Sequence, residues 1–301
     1  MRALLPIALL LGVSACFTSF AAAQEKKMDL NELLARHAAY SRKPDAPQLK
    51  SRTLEGDVQL TMIVGGAGTL AGKAEFASQG ERRRFDMKFG HTSYDREHIV
   101  TDGDKIAVGF VNSSRRSDLG QFLLAQDQIF REGVFGGVLS SAWPLTAADA
   151  KKLKANYEGL KKVDGRELHV VRYRTQRKGG DVEITLYFDP QTYSHVRSTY
   201  VQTIRAGIVS TPGATESNVS VPAGPAAVAT GETMSARQQV HRIRLEEDFD
   251  DFRNSDGYAI PAKWKIKMTT ETQQSRVWEW VVNITKVKNN QPVEDGEFVV
   301  R

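Results

Sequence analysis

The chain has 301 residues, a formal net charge of +5 and a single cysteine, Cys16. A domain built from the remainder has no disulfide or cysteine-metal cluster to lean on and must stand on its apolar core. The mild positive balance is spread along polar strand faces, as at Lys263, Lys265 and Lys267, with no basic stripe of the kind that grips nucleic acid.

Behind Met1-Arg2 the run Ala3-Leu4-Leu5-Pro6-Ile7-Ala8-Leu9-Leu10-Leu11 is apolar but too short to span a bilayer, which is the anatomy of a secretory leader. Two cleavage sites fit it. Ala21-Ala22-Ala23 before Gln24 offers the small residues that an ordinary signal peptidase reads, for a leader of residues 1–23. Val13-Ser14-Ala15-Cys16 resembles the bacterial lipobox, which would leave Cys16 lipidated at the mature N-terminus. Either cut exports the chain, to the periplasm or, through a lipidated Cys16, to the outer membrane. No later segment is apolar enough to cross a membrane.

Asp29-Leu30-Asn31-Glu32 has capping-box spacing, and Leu30, Leu33, Leu34 and His37 share one face, so a helix is expected to about Tyr40, ended by Lys43-Pro44. From Arg52 onward the period drops to two. Leu54, Gly56, Val58, Leu60, Met62 and Val64 alternate with Glu55, Asp57, Gln59 and Thr61, the pattern of a half-buried antiparallel strand. Leu70, Gly72, Ala74 and Phe76 form the next apolar edge, then Phe85, Met87 and Phe89, with Arg84, Asp86 and Lys88 facing out. Asp102-Gly103 turns the chain into Ile106-Val108-Phe110.

Between Ser117 and Trp143 the spacing changes to three and four. Leu119, Phe122, Leu123, Gln126, Ile129 and Phe130 predict one strong helix, stopped by Gly133 and Gly136-Gly137, with an apolar exit through Val134, Phe135, Val138, Leu139, Trp143 and Leu145. Strands resume after Tyr157. Asp164-Gly165 closes a hairpin, Ile184-Leu186-Phe188 ends at Asp189-Pro190-Gln191-Thr192, and further strands cover 195–201, 240–245, 264–268, 278–284 and a short tail near Phe298. The stretch 210–235 is rich in Ala, Gly, Ser, Thr, Val and Pro without an aromatic, and reads as a flexible excursion inside one domain of residues 24–301. The sum is a mainly β chain of about eleven or twelve antiparallel strands with two or three helices.

No catalytic signature emerges. Gly65-Gly66-Ala67-Gly68-Thr69-Leu70-Ala71-Gly72-Lys73 approaches two nucleotide motifs, but an alternating strand follows where a helix N-terminus is required. His37, His91, His98, His169, His195 and His241 fall at no metal-ligand spacing, and His91 and His98, with Asp95 and Glu97 between them, read as hairpin residues. The acidic run Glu246-Glu247-Asp248 with Asp250, Asp251 and Asp256 lacks the ligand order of a calcium loop and reads as a solvated strand end. No G-x-S-x-G elbow occurs, so a hydrolase would need a buried Ser–His–acid set, for instance around His169 or His195. No cofactor is suggested either.

The apolar residues point elsewhere. Phe76, Met87, Phe89, Phe110, Phe122, Leu123, Phe130, Trp143, Trp264, Met268, Trp278 and Trp280 form one candidate set, as core or as the lining of a cavity for acyl chains. An incompletely covered sheet face takes up such chains at about 0.8 kcal/mol per buried methylene.

The order of elements resembles the LolA-like family of periplasmic outer-membrane lipoprotein carriers. The likeness rests on Leu186-Tyr187-Phe188-Asp189-Pro190-Gln191-Thr192 with His195-Val196-Arg197, on Gly136-Gly137-Val138-Leu139 to Trp143-Pro144-Leu145, and on Gly257-Tyr258-Ala259-Ile260-Pro261 to Trp264. The resemblance implies an unclosed half-barrel lidded by helices that shelters lipoprotein acyl chains or other lipids, with no catalytic residue. It also implies transient membrane-surface contact. The same fold serves as an envelope protein-interaction or stress-sensing module, with a protein partner in place of lipid. This chain departs from the compact carriers in length, through residues 210–235 and extra C-terminal strands.

Overall fold

A computed structural model describes residues 28–63, 67–146, 152–176, 181–205, 240–271 and 275–299. The leader with Cys16, both cleavage sites and the 210–235 excursion lie outside the described residues.

Helix α1, Leu30–Ser41, starts where Asp29 accepts from the Glu32 amide (2.9 Å) and buries Leu33, Leu34 and His37. Strands β1 (Ser51–Ile63), β2 (Ala67–Gln79), β3 (Arg82–His91), β4 (Tyr94–Thr101) and β5 (Ile106–Val108) follow as a meander. After the interruption come β6 (Ala155–Val163), β7 (Arg166–Tyr173), β8 (Val182–Phe188), β9 (His195–Arg205), β10 (Val240–Ser255), β11 (Tyr258–Glu271) and β12 (Arg276–Asn289). In β1 the alternation is literal, with Leu54, Val58 and Leu60 buried between exposed Glu55, Asp57 and Gln59. Gly56 sits at a bulge where a Cβ would fall 2.4 Å from the Asn283 carbonyl oxygen. The hairpin at Asp164-Gly165 has both residues at positive φ (48° and 83°), as a tight two-residue turn requires.

All twelve strands join one antiparallel sheet in the order β5-β4-β3-β2-β1-β12-β11-β10-β9-β8-β7-β6. The first and last strands pair, Leu60 opposite Trp280, and this splice has a consequence. It leaves β5 and β6, neighbours in sequence, at the two free edges of the sheet. The chain leaving β5, described over residues 109–146, runs over the inner face as a strap.

Three expectations change. The single helix over 119–130 is two: α2, Asp118–Ala125, capped by Ser117, and α3, Asp127–Arg131, with a break at Gln126 (φ −116°, ψ 49°). The break buries Phe122 and Leu123 on one side of it and Ile129 and Phe130 on the other. Near Phe298 the chain forms a 3-10 turn, Asp295–Phe298, and no strand. The acidic run lies inside β10, where period two sends Glu247 inward between Leu245 and Phe249.

Candidate functional site: the strap and the trough beneath it

The strap contributes Leu119, Phe122, Leu123, Ile129, Phe130, Val134, Phe135, Leu139, Trp143 and Leu145 to one core shared with the inner sheet face. At about 1.5–3 kcal/mol for each such side chain, this burial is the main force holding it down. Phe135 is its central plug. Its ring lies 5.5 Å from Phe85, 5.4 Å from Trp264 and 6.1 Å from Phe130, in tilted and edge-on arrangements. Phe85, Phe135 and Trp264 are all buried and in ring contact, so this part of the trough is filled by the protein's own side chains. Beside it, a void bordered by Phe76, Phe85, Trp264 and Val282 measures about 10 Å³, near the minimum for one water.

Five buried polar residues fasten the strap along its length. Glu97 of β4 accepts from the Ser117 hydroxyl (2.6 Å) and from Tyr94, and burial pushes its carboxyl up to about 7. Arg83 of β3 donates to the Phe130 and Arg131 carbonyls and to Ser140 Oγ, and burial pulls it down to about 10. Glu247 accepts from the Gly136 amide (2.8 Å), Trp264 Nε1 (3.0 Å) and the Tyr200 hydroxyl (2.6 Å), and burial pushes it up to about 8. Arg52 of β1 donates to the Val138 carbonyl (2.7 Å) and Asn289 Oδ1 (2.8 Å). His37 of α1 accepts from Trp143 Nε1 at its Nε2 (3.2 Å) while its Nδ1 faces the Tyr193 carbonyl (2.9 Å). Those partners assign the neutral Nδ1–H tautomer, in keeping with burial that pulls its pKa down to about 4.

Between Ser117 and Thr146 the strap's backbone takes no part in the sheet, whereas Gly109 and Val111 ahead of it bond to His98 and Asp95 of β4. From Ser117 to Thr146 every backbone–backbone hydrogen bond among the described residues closes within the strap itself. Gly136 and Gly137 turn it with φ of 84° and 48°, and a Cβ on Gly137 would meet the His195 ring at 2.8 Å.

Most of the predicted apolar set converges here. Phe76, Met87, Phe122, Leu123, Phe130, Trp143, Trp264, Met268 and Trp280 lie in the shared core, with Phe89 and Trp278 half-buried at its margin. Trp278 and Trp280 sit opposite Met268 and Ile266 across the β11–β12 pair. Phe110 does not belong to the set. It is 54 % exposed with the Arg116 guanidinium over its ring, because β5 ends at Val108 and the chain has already left the inner face.

The chemical alternatives find no geometry. Gly68 and Gly72 are strand residues of β2 with no helix behind them. No group of three metal-ligating side chains occurs among the described residues. His195 Nε2 contacts the Ser198 hydroxyl (3.1 Å), but its Nδ1 has no partner and the ring is sealed by Trp143, Phe188 and Phe249. A triad would need a carboxylate on that Nδ1. His169 packs on Tyr193 and meets the Tyr157 hydroxyl.

The buried ties escaped the sequence reading, yet a signal existed. Arg52 shares parity with Leu54, Arg83 with Phe85, Glu97 with Ile99, and Glu247 with Leu245 and Phe249. A charge on the apolar parity of a strand must be matched inside the protein.

These features define an open antiparallel half-barrel closed over by a strap between its two edges. No family model matches the chain, and no curated protein does. Among solved structures it is similar to a LolA superfamily protein from Nitrosomonas europaea, at 11 % identity over 91 % of this chain and 98 % of that one, with a TM-score of 0.45. It is similar to a putative outer membrane lipoprotein-sorting protein domain from Vibrio parahaemolyticus, at 10 % identity over 89 % and 95 % of the two chains, TM-score 0.42. A DUF1329 family protein from Desulfovibrio piger gives 10 %, 89 %, 95 % and 0.43 in the same order. These names belong to those structures, and the likeness is a likeness only. At this identity it concerns the fold and assigns no residue a role. No described helix is long and apolar enough to cross a membrane.

Proposed function

We propose that the protein is an exported lipid or lipoprotein carrier or acceptor, which shelters acyl chains in the trough by exchanging them for part of the strap, without covalent chemistry. The supporting observation is the strap's independence. From Ser117 to Thr146 its backbone–backbone bonds are its own, so this part can lift without breaking a strand ladder, and only contacts that involve side chains are lost. An acyl chain of roughly a dozen methylenes returns about 10 kcal/mol on burial, equivalent to some four of the strap's large side chains at ~2–3 kcal/mol each. Partial displacement around Phe130, Phe135 and Leu139 therefore suffices, and full opening is unnecessary. Export, by either leader cut, belongs to the same proposal, and the mass of the mature N-terminus decides between Gln24 and Cys16.

Native mass spectrometry of protein purified without detergent should show lipid adducts, and a fluorescent fatty-acyl probe should bind stoichiometrically. A clean apo mass together with no probe uptake rejects the proposal. The packed Phe85–Phe135–Trp264 cluster favours a second reading, a protein-interaction module with a permanently filled core. That reading requires strap amides to remain protected in hydrogen exchange when acyl probes are added.

A further inference from the structure

At the α1 end of the strap lies a second hollow, a pocket of about 510 Å³ that shares no residue with the aromatic cluster of the trough. Its walls come from the end of α1 and the turn after it, from β1, from the strap and from β11. Of the described residues that line it, Arg42, Lys43 and Arg52 are basic and none is acidic. The larger hollow near the C-terminal turn is different, since Glu55, Glu75, Asp256, Glu294 and Glu297 there face Arg84 and Lys288.

Arg52 is the unusual group. It is 2 % exposed and forms no ion pair among the described residues. Its Nε and Nη1 serve the neutral oxygens of Asn289 and Val138, its guanidinium lies 5.3 Å from the centre of the Tyr258 ring, and its Nη2 has no acceptor among the described residues. Burial pulls its pKa down to about 9, so it still carries its charge at neutral pH. A buried cation left without an anion is a standing cost to the fold. Ser141, which also lines the pocket, has its hydroxyl oxygen buried with no hydrogen-bond partner among the described residues. A buried guanidinium without a counter-ion and an unpartnered hydroxyl beside one hollow mark a place for an anion.

We propose that this pocket binds a phosphate group, held by Arg52 and the Ser141 hydroxyl, with Arg42 and Lys43 at its mouth. The charge balance favours a dianion over a carboxylate, and the volume leaves room for what the phosphate is attached to. The source is a phospholipid headgroup or a free phosphate, and the two are separable. The site does not depend on the trough's being an acyl site, and either reading can fail alone.

Isothermal titration calorimetry on the full mature chain at pH 7 tests it with three ligands: inorganic phosphate, dihexanoyl phosphatidic acid below its micelle concentration, and dihexanoylglycerol. Binding of both phosphates assigns a free-phosphate site, and binding of phosphatidic acid alone assigns a headgroup site; each supports the proposal. Arg52→Met should weaken binding at least tenfold and Ser141→Ala about threefold. Because Arg52 also holds Val138, the exposed pair Arg42→Ser/Lys43→Ser serves as a variant outside the core, expected to weaken binding several-fold and flatten its salt dependence. Absence of heat with both phosphates overturns the proposal. So does equal affinity for dihexanoylglycerol, or affinity unchanged in all three variants.

Discussion

The two hollows that border the strap are opposites. The trough is lined by hydrocarbon, and Phe135 closes it against Phe85 and Trp264, with only a void of about 10 Å³ beside them. The pocket at Arg52 mixes apolar walls with three cations and several hydroxyls and stands open at about 510 Å³. The difference is physical. Apolar surface is non-specific, so any apolar side chain within reach satisfies it, and Phe135 does. A buried cation calls for directed acceptors or an anion, and no carboxylate is among the described residues that line this pocket. On the proposed carrier function, a self-filled trough must be opened by its cargo, whereas a charged pocket can be preformed.

The strongest way to break this contrast is to empty the trough. Phe135→Ala should cost about 3–5 kcal/mol in denaturant unfolding, and the cavity it leaves should bind small apolar probes. A loss below about 1 kcal/mol would mean that the plug is not packed as described.

Next in size is the tie at Glu247. Glu247→Leu strands the Gly136 amide and the Trp264 indole, while the Tyr200 hydroxyl falls back on the Val134 carbonyl, for an expected loss of about 2–3 kcal/mol. Glu247→Gln keeps an acceptor for Gly136 and Trp264, and Tyr200 retains the Val134 carbonyl, so its loss should be about 1 kcal/mol. Equal losses in the two variants would show that packing alone matters there.

The same residue gives the trough a pH dependence. Glu247 moves from an ordinary 4.5 to about 8 in the fold, and Glu97 from 4.5 to about 7. Between those values the unfolded chain has released protons that the folded chain keeps. Stability from this source is full below about pH 4.5 and falls as pH rises toward 8, by at most about 1.4 kcal/mol per unit for each group. His37 acts oppositely. Its pKa drops from 6.5 to about 4, so its contribution is full above 6.5 and lost as pH falls toward 4. Chemical denaturation across pH 4–9 should therefore show a shallow decline from about pH 4.5 to 6.5, where His37 offsets one of the two carboxyls, and a steeper decline just above 6.5, shallower in Glu247→Gln. A stability that rises from pH 6.5 to 8 would contradict the assignment.

The smallest effect sharpens the boundary of the trough. Phe110→Ser should change stability by no more than about 0.5 kcal/mol and leave acyl-probe uptake intact, since Phe110 lies outside the strap's buried side. Loss of uptake would move the trough's mouth to the α2 surface.

Local chemistry made much of this legible in advance. The capped first helix, the alternation of β1 and β3, and the turns at Asp102-Gly103, Asp164-Gly165 and Asp189-Pro190 follow from the residues themselves, because period and turn preference are set within a few positions. The converging aromatics of the trough were legible for the same reason, with Phe110 misplaced because a strand's end is less sharply written than its middle. Glu247, Arg52, Arg83 and Glu97 stood on the apolar parity of their strands, but parity alone cannot say what a buried charge will meet.

What the tertiary structure alone decided is the pairing of β1 with β12, across most of the chain's length. A strand's pattern specifies which face is apolar and leaves its neighbour open, since many partners offer the same hydrogen bonds and the same greasy face. That one long-range choice made β5 and β6 the edges, turned the helical interruption into a strap, and carried Gly136 to Glu247 and Val138 to Arg52.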